Sequence, residues 1–130
     1  VDKESMGNTG TGAQWKMYNG HRIDKSKQQI TAFIFETKAI SKLTASSKED
    51  YLTNLKKEPQ MLAKYKHPGI ISLMDPLIEN PKALGFTTER LQGSLHSFIQ
   101  QNRITEIFAS ELDTKFHLLE LVDTIQFMHN

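Results

Sequence analysis

The stretch ITAFIFETK, Ile30 to Lys38, is where the fold can first be read. Its β-branched and aromatic residues favour an extended chain. In a strand, successive side chains point to opposite faces, so Ile30, Ala32 and Ile34 share one face while Thr31, Phe33 and Phe35 share the other. That second face carries rings, and the question is what they are doing there. Just upstream, QWKMY (14–18) alternates as a half-buried strand does, with Trp15 and Met17 on one side and Lys16 and Tyr18 on the other. The polar segment NGHRIDKSKQQ between the two predicts a hairpin connection and an antiparallel pair. Residues 1–13 before the pair are polar and loop-like, with Gly7, Gly10 and Gly12.

Downstream, SSKEDYLTNLKKEPQMLAKYK (46–66) has a helical pattern. Tyr51, Leu55, Glu58, Leu62 and Tyr65 recur at spacings of three and four, so they share one helix face and Glu58 falls on the apolar stripe. Pro59 lacks the N–H that would bond the Leu55 carbonyl, a loss of about 3 kcal/mol inside a helix. A kink, or a second helical piece with Pro59 in its first turn, is the expectation. HPG (67–69) then closes the helix. IISLMDPLIE (70–79) reads as a strand whose ladder Pro76 restricts to one side, and ALGFTTE (83–89) as a further strand. RLQGSLHSFIQ leads through a glycine-broken linker into a short helix capped by Ser94. The last segment, SELDTKFHLLELVDTIQFMHN (110–130), opens with Ser110 and Asp113 in capping-box spacing. Its apolar band, from Leu112 and Phe116 to Met128, is wide enough to predict burial on most sides. Too little chain remains to bury it, and the chain begins at Val1, so a segment of a longer domain is expected.

Composition narrows the classes. At 130 residues there is chain for one compact unit, or a piece of one, set against roughly 150 residues per domain. The formal charge of +1 does not suggest a polyanion-binding protein. Without cysteine there are no disulfides or thiolate metal sites, and a cytosolic setting is preferred. No apolar run approaches the roughly 18 residues of a membrane span. The five histidines, His21, His67, His96, His117 and His129, show no metal-ligand spacing, and His67 reads as a structural hydrogen-bonding residue.

The order of these parts is a glycine-rich loop, two strands, a helix with an inward Glu, H-P-x-I, two strands, a T-E-R-L linker, a G-S-L helix and a helix ending FMHN. From Gly10 to Asn130 it resembles the N-terminal half of a protein kinase domain. Within that superfamily the residues GTGAQWKMYNG, ITAFIFETK, HPGII, TERLQGSL and LLELVDTIQFMHN are most similar to the SCY-like pseudokinases, the group of the coated-vesicle-associated kinase-like proteins. The resemblance implies an α+β fold: a kinase-like N-lobe over 1–89, with a twisted antiparallel sheet of about five strands and a C-type helix. Over 90–130 it implies the hinge and first helices of a truncated C-lobe.

The same resemblance marks out a degenerate nucleotide pocket: Gly10, Gly12, Trp15, Met17, Thr31, Phe33, Glu58, Thr88 and Leu91. Gly10 and Gly12 match the first two glycines of the phosphate loop, while Trp15 takes the third position, where an indole prevents the close backbone approach that glycine allows. Met17 takes the place of the valine over the base. Phe33 stands where the phosphate-gripping lysine belongs and has neither charge nor donor. Glu58 matches the helix glutamate that would orient that lysine. Left without a cation, it should bond backbone or water, or swing outward. Lys16, Lys38 and Lys42 read as solvated surface rather than substitutes. Thr88 takes the gatekeeper position, with Glu89, Arg90 and Leu91 as the linker whose backbone would bond adenine.

The chain ends before the H-R-D loop and D-F-G, so no catalytic residue is assigned, no metal site, and no cofactor. The implied role is a catalytically inactive binding or scaffolding module in vesicle-mediated membrane trafficking. The implied setting is cytoplasmic, at the Golgi or coated vesicles, with clathrin and adaptor or coat components as partners through the parent protein. Neither nucleic acid binding nor a transmembrane segment is implied, while peripheral membrane association is compatible. The alternatives are an atypical Ser/Thr kinase domain that still binds ATP and Mg, and an unrelated α+β domain.

Overall fold

In the computed structural model, residues 7–8, 15–24 and 26–130 are described. The sheet is antiparallel throughout, built from β1 (Gly7–Asn8), β2 (Lys16–His21), β3 (Gln29–Glu36), β4 (Leu73–Glu79) and β5 (Ala83–Glu89) in the order β1-β2-β3-β5-β4. Only four of these are strands of normal length, one fewer than the expected five. In the fifth place β1 offers two residues, pairing Gly7 with Met17 and Asn8 with Lys16. The helices are α1 (Ala45–Lys64), α2 (Leu95–Gln100) and α3 (Glu111–His129), with 3₁₀ turns at Thr37–Ile40 and Ile104–Glu106.

Local chemistry accounts for the boundaries. In the β2–β3 turn, Asp24 accepts hydrogen bonds from the backbone N–H and the hydroxyl of Ser26. In the β4–β5 turn, the Asn80 side chain accepts from the N–H groups of Lys82 and Ala83, both at 2.9 Å. β4 is an edge strand with two register irregularities, and Pro76 lies exposed within the second, where the ladder is already interrupted. Thr44 caps α1 by accepting from Ser47 N, Ser94 caps α2 with a reciprocal box to Ser97, and Ser110 caps α3 by accepting from Asp113 N.

One expectation for the helices is corrected, and one is met. α1 runs unbroken for 20 residues with Pro59 inside it. The pyrrolidine ring is buried, one turn from Leu55 on the same face, so its burial offsets the lost hydrogen bond. Pro59 therefore occupies the stripe that was read as belonging to Glu58, and Glu58 sits at its exposed margin. In α3, Thr124 is the one buried residue. As the shortage of chain to cover it implies, the apolar band is open: Phe116 is 58% exposed, Leu119 70% and Val122 60%.

What holds α3 is the HPG loop. The Gly69 N–H bonds to His67 Nδ1 at 3.0 Å, the His67 ring stacks on Phe127 with centroids 4.7 Å apart, and His67 Nε2 lies 3.4 Å from an Asp123 carboxylate oxygen. Gly69 touches Thr124 so closely that an added Cβ would stand 1.8 Å from its hydroxyl. Glycine is required there for close approach.

The main core lies between the inner face of the sheet and α1. Trp15, Met17, Phe33, Phe35, Leu84 and Phe86 come from the sheet, and Ile40 and Leu55 close it from the helical side. No helix among the described residues is long and apolar enough to cross a membrane.

Candidate functional site

The strand register assembles the site in rows. β3 lies between β2 and β5, and its pairing sets Met17 beside Phe33 and Phe33 beside Phe86. One step towards the linker, the same register sets Asn19 beside Thr31 and Thr31 beside Thr88. One step the other way, Phe35 pairs with Leu84. Thr31, Phe33 and Phe35 therefore share the inner face, as strand parity requires.

The ring row is tightly closed. Phe33 and Phe86 stack with centroids 4.8 Å apart and planes 3° from parallel. Trp15 meets Phe86 edge-on at 4.9 Å and Phe35 at 6.4 Å. Phe33 and Phe86 are each 2% exposed and Trp15 is 0% exposed. Aromatic pairs in such geometries contribute about 0.5–1.5 kcal/mol each beyond the area they bury. Phe33 is a structural member of the core, with no polar atom to offer a ligand.

The threonine row is polar and already engaged. Thr31 Oγ1 donates to Asn19 Oδ1 at 3.2 Å and accepts from the Leu91 backbone N–H at 2.9 Å. Thr88 Oγ1 donates to the Glu89 carbonyl at 2.9 Å. Two backbone groups of the linker are thus satisfied by threonine hydroxyls from the sheet. Arg90 adds a longer bond, 3.4 Å from its guanidinium to the Gly20 carbonyl. The linker is fastened to β2 and β3 by side chains.

Glu58 faces this core from the margin of α1. Loss of water around its carboxyl pushes it above the ordinary glutamate range, and the nearby Trp15 indole offsets part of that rise. Glu58 is exposed on α1, with the Trp15 indole nearby as a neutral neighbour. No lysine or arginine forms an ion pair with it among the described residues.

The three lysines considered as substitutes lie elsewhere. Lys16 is exposed on β2, on the side away from Trp15 and Met17, and acts on Glu36. Lys38 bridges Glu36 at 2.7 Å, and Lys42 is exposed beyond the 3₁₀ turn. Gly10 and Gly12 lie outside the described residues. Of the other pocket residues, Trp15, Met17, Thr31, Phe33 and Thr88 come together on one sheet face, with Leu91 joined to it through Thr31 and Glu58 through Trp15. No group of three or more histidines and carboxylates among the described residues could hold a metal ion.

Sequence reasoning missed Phe86 and Asn19 and misjudged Pro59. The alternation of Leu84, Phe86 and Thr88 in ALGFTTE already marks Phe86 as inward. Nothing local signals that Asn19 meets Thr31, because strand register alone brings them together.

No protein-family profile matches the chain. It is 28% identical over 130 residues to SCY1-like protein 2 of Homo sapiens, covering 93% of this chain and 14% of that protein. It is 27% identical over 145 residues to protein kinase-like protein SCY1 of Saccharomyces cerevisiae, covering 94% of this chain and 18% of that protein. It is 22% identical over 135 residues to protein kinase domain-containing protein ppk32 of Schizosaccharomyces pombe, covering 88% of this chain and 18% of that protein. The chain spans less than a fifth of the length of these relatives. The antiparallel sheet, one long helix and a linker in kinase-like order agree with this similarity to SCY1-like, protein kinase-like proteins.

Proposed function

We propose that this segment is catalytically silent and serves as a binding and scaffolding module, within a parent protein that acts in vesicle-mediated membrane traffic. The observation that carries the silent reading is Phe33. It sits at the phosphate-lysine position of the resemblance, stacked on Phe86 and 2% exposed. Two further features support it. The Leu91 N–H and the Glu89 carbonyl, on the linker that would bond adenine, are engaged by Thr31 and Thr88. The helix glutamate has no cation paired with it among the described residues. A bound phosphate chain would meet rings where it needs positive charge.

The trafficking setting, at the cytoplasmic side of the Golgi or coated vesicles with clathrin, adaptor or coat components as partners, rests on the resemblance to the SCY-like group. No cofactor is assigned.

Melting in the presence of ATP and Mg²⁺ tests the silent reading. A ligand at a hundredfold excess over its dissociation constant stabilises the folded state by about 2.7 kcal/mol. The expected result is no magnesium-dependent shift, and a robust shift would support the ATP-binding kinase reading instead.

A further inference from the structure

A second concave site lies at the opposite end of β3 from the linker. From Thr31 to Glu36 the strand travels about 17 Å. Beyond it, a groove of about 780 Å³ opens between the Thr37–Ile40 turn, the first turns of α1 and the β4–β5 turn. Its walls are tied together: Thr37 donates from its N–H to the Lys82 carbonyl at 2.9 Å and from its hydroxyl to the Pro81 and Lys82 carbonyls at 3.0 Å. The floor is apolar, made by buried Ile40 with the half-buried Leu52 and Ala83.

The rim is basic. Lys38, Lys48 and Lys82 line the groove against one carboxylate, Glu36, so three positive charges face one negative and leave a net of +2. Lys38 bridges Glu36, which leaves Lys48 and Lys82 as the surplus. The first turn of α1 contains no acidic residue, so the positive end of the helix adds to the same field.

We propose that this groove docks an acidic peptide segment of a partner protein, with one apolar side chain on the Ile40–Leu52–Ala83 floor and flanking carboxylates on Lys48 and Lys82. An apolar anchor ringed by complementary charge is how short peptides obtain affinity from the floor and register from the rim. The concave shape favours a peptide over an anionic membrane, because a flat surface would reach the lysines and leave the floor empty. The inference rests on reading the chain as a binding module.

The test is selection of a random heptapeptide phage library on the full chain, on the double variant Lys48→Glu/Lys82→Glu, and on Lys115→Glu as a charge reversal on α3. Circular dichroism confirms that each is folded. The expected result is a consensus of Asp or Glu flanking one large apolar residue. Synthetic peptides of that consensus should bind the double variant at least tenfold more weakly, bind Lys115→Glu like the original, and weaken with salt.

A consensus lacking acidic residues, no consensus at all, or equal affinity for the double variant would overturn the proposal. So would phosphatidylserine vesicles binding through Lys48 and Lys82 where no peptide does. ATP melting on the same preparations keeps the two readings apart: an ATP shift with intact acidic-peptide binding removes only the silent pocket. No shift with no acidic consensus removes only the docking groove.

Discussion

The hydroxyl of Thr31 accepts the Leu91 N–H at 2.9 Å, joining the central strand to the linker across 60 positions of sequence. Thr31 is completely buried, so this bond has no water to compete with it. Thr31→Val keeps the shape and removes the hydroxyl, leaving the Leu91 N–H without its acceptor and Asn19 without its donor. The expected loss is about 1–3 kcal/mol. Urea unfolding measures it, and an unchanged midpoint would show that the tie contributes nothing.

Phe33 should behave as core. Phe33→Ala opens a cavity between Met17 and Phe86 and should cost about 3–5 kcal/mol. Phe33→Lys places a charge among rings and should be at least as damaging, with no gain of ATP-dependent stabilisation. Chemical denaturation of both variants and ATP melting of the second are the measurements. A well-folded Phe33→Lys protein that acquires an ATP shift would mean that a lysine alone restores the site.

Glu58 sets a pH dependence of definite sign. Its folded-state affinity for protons exceeds that in the unfolded chain, chiefly through desolvation. The folded state therefore binds more protons, and stability falls as pH rises from the ordinary glutamate value through the raised one. Glu58→Gln removes this slope while keeping the size and polarity of the side chain. Melting curves at pH 4 and pH 7 should converge in the variant relative to the original, with the variant the more stable at pH 7.

Gly69→Ala forces a methyl group into the space of the Thr124 hydroxyl. Overpacking of this kind costs typically about 1–3 kcal/mol. The loss should be local, because α3 is held mainly through the HPG loop. Hydrogen exchange should show α3 amides losing protection while β3 and β5 keep theirs. Uniform loss across the chain would contradict this picture of attachment.

The open face of α3 makes solution behaviour a test as well. With Phe116, Leu119 and Val122 more than half exposed, the isolated chain should bind a hydrophobic dye or self-associate. Leu119→Ser with Val122→Ser should reduce both, as read by dye fluorescence and light scattering.

Much of the sheet was legible because its strands alternate cleanly. Period two in QWKMY, ITAFIFE and ALGFTTE fixes which residues face the core, and the kinase-like order of elements follows from their succession. The helices were harder. Pro59 read as a breaker because its propensity is local, whereas its ring is held by tertiary packing that no window of sequence contains. Glu58 and Pro59 are neighbours at the edge of one stripe, and periodicity alone does not decide which of them turns inward. The linker ties were illegible for another reason: Thr31 reaches Leu91 through a register set by three strands at once. The groove at Lys48 and Lys82 joins parts of the chain that carry no shared pattern.

Pro76 on the β4 edge has a bearing on how this molecule can assemble. An open strand edge invites another strand, and that is the usual beginning of a fibre. Here the edge strand carries Pro76, which has no N–H, and is bent by irregularities on either side of Asp75. Copies that meet through the open face of α3 pack helix against helix rather than pairing strands at this edge. Such contacts loosen on dilution, and clumping of the isolated chain should reverse rather than mature into amyloid.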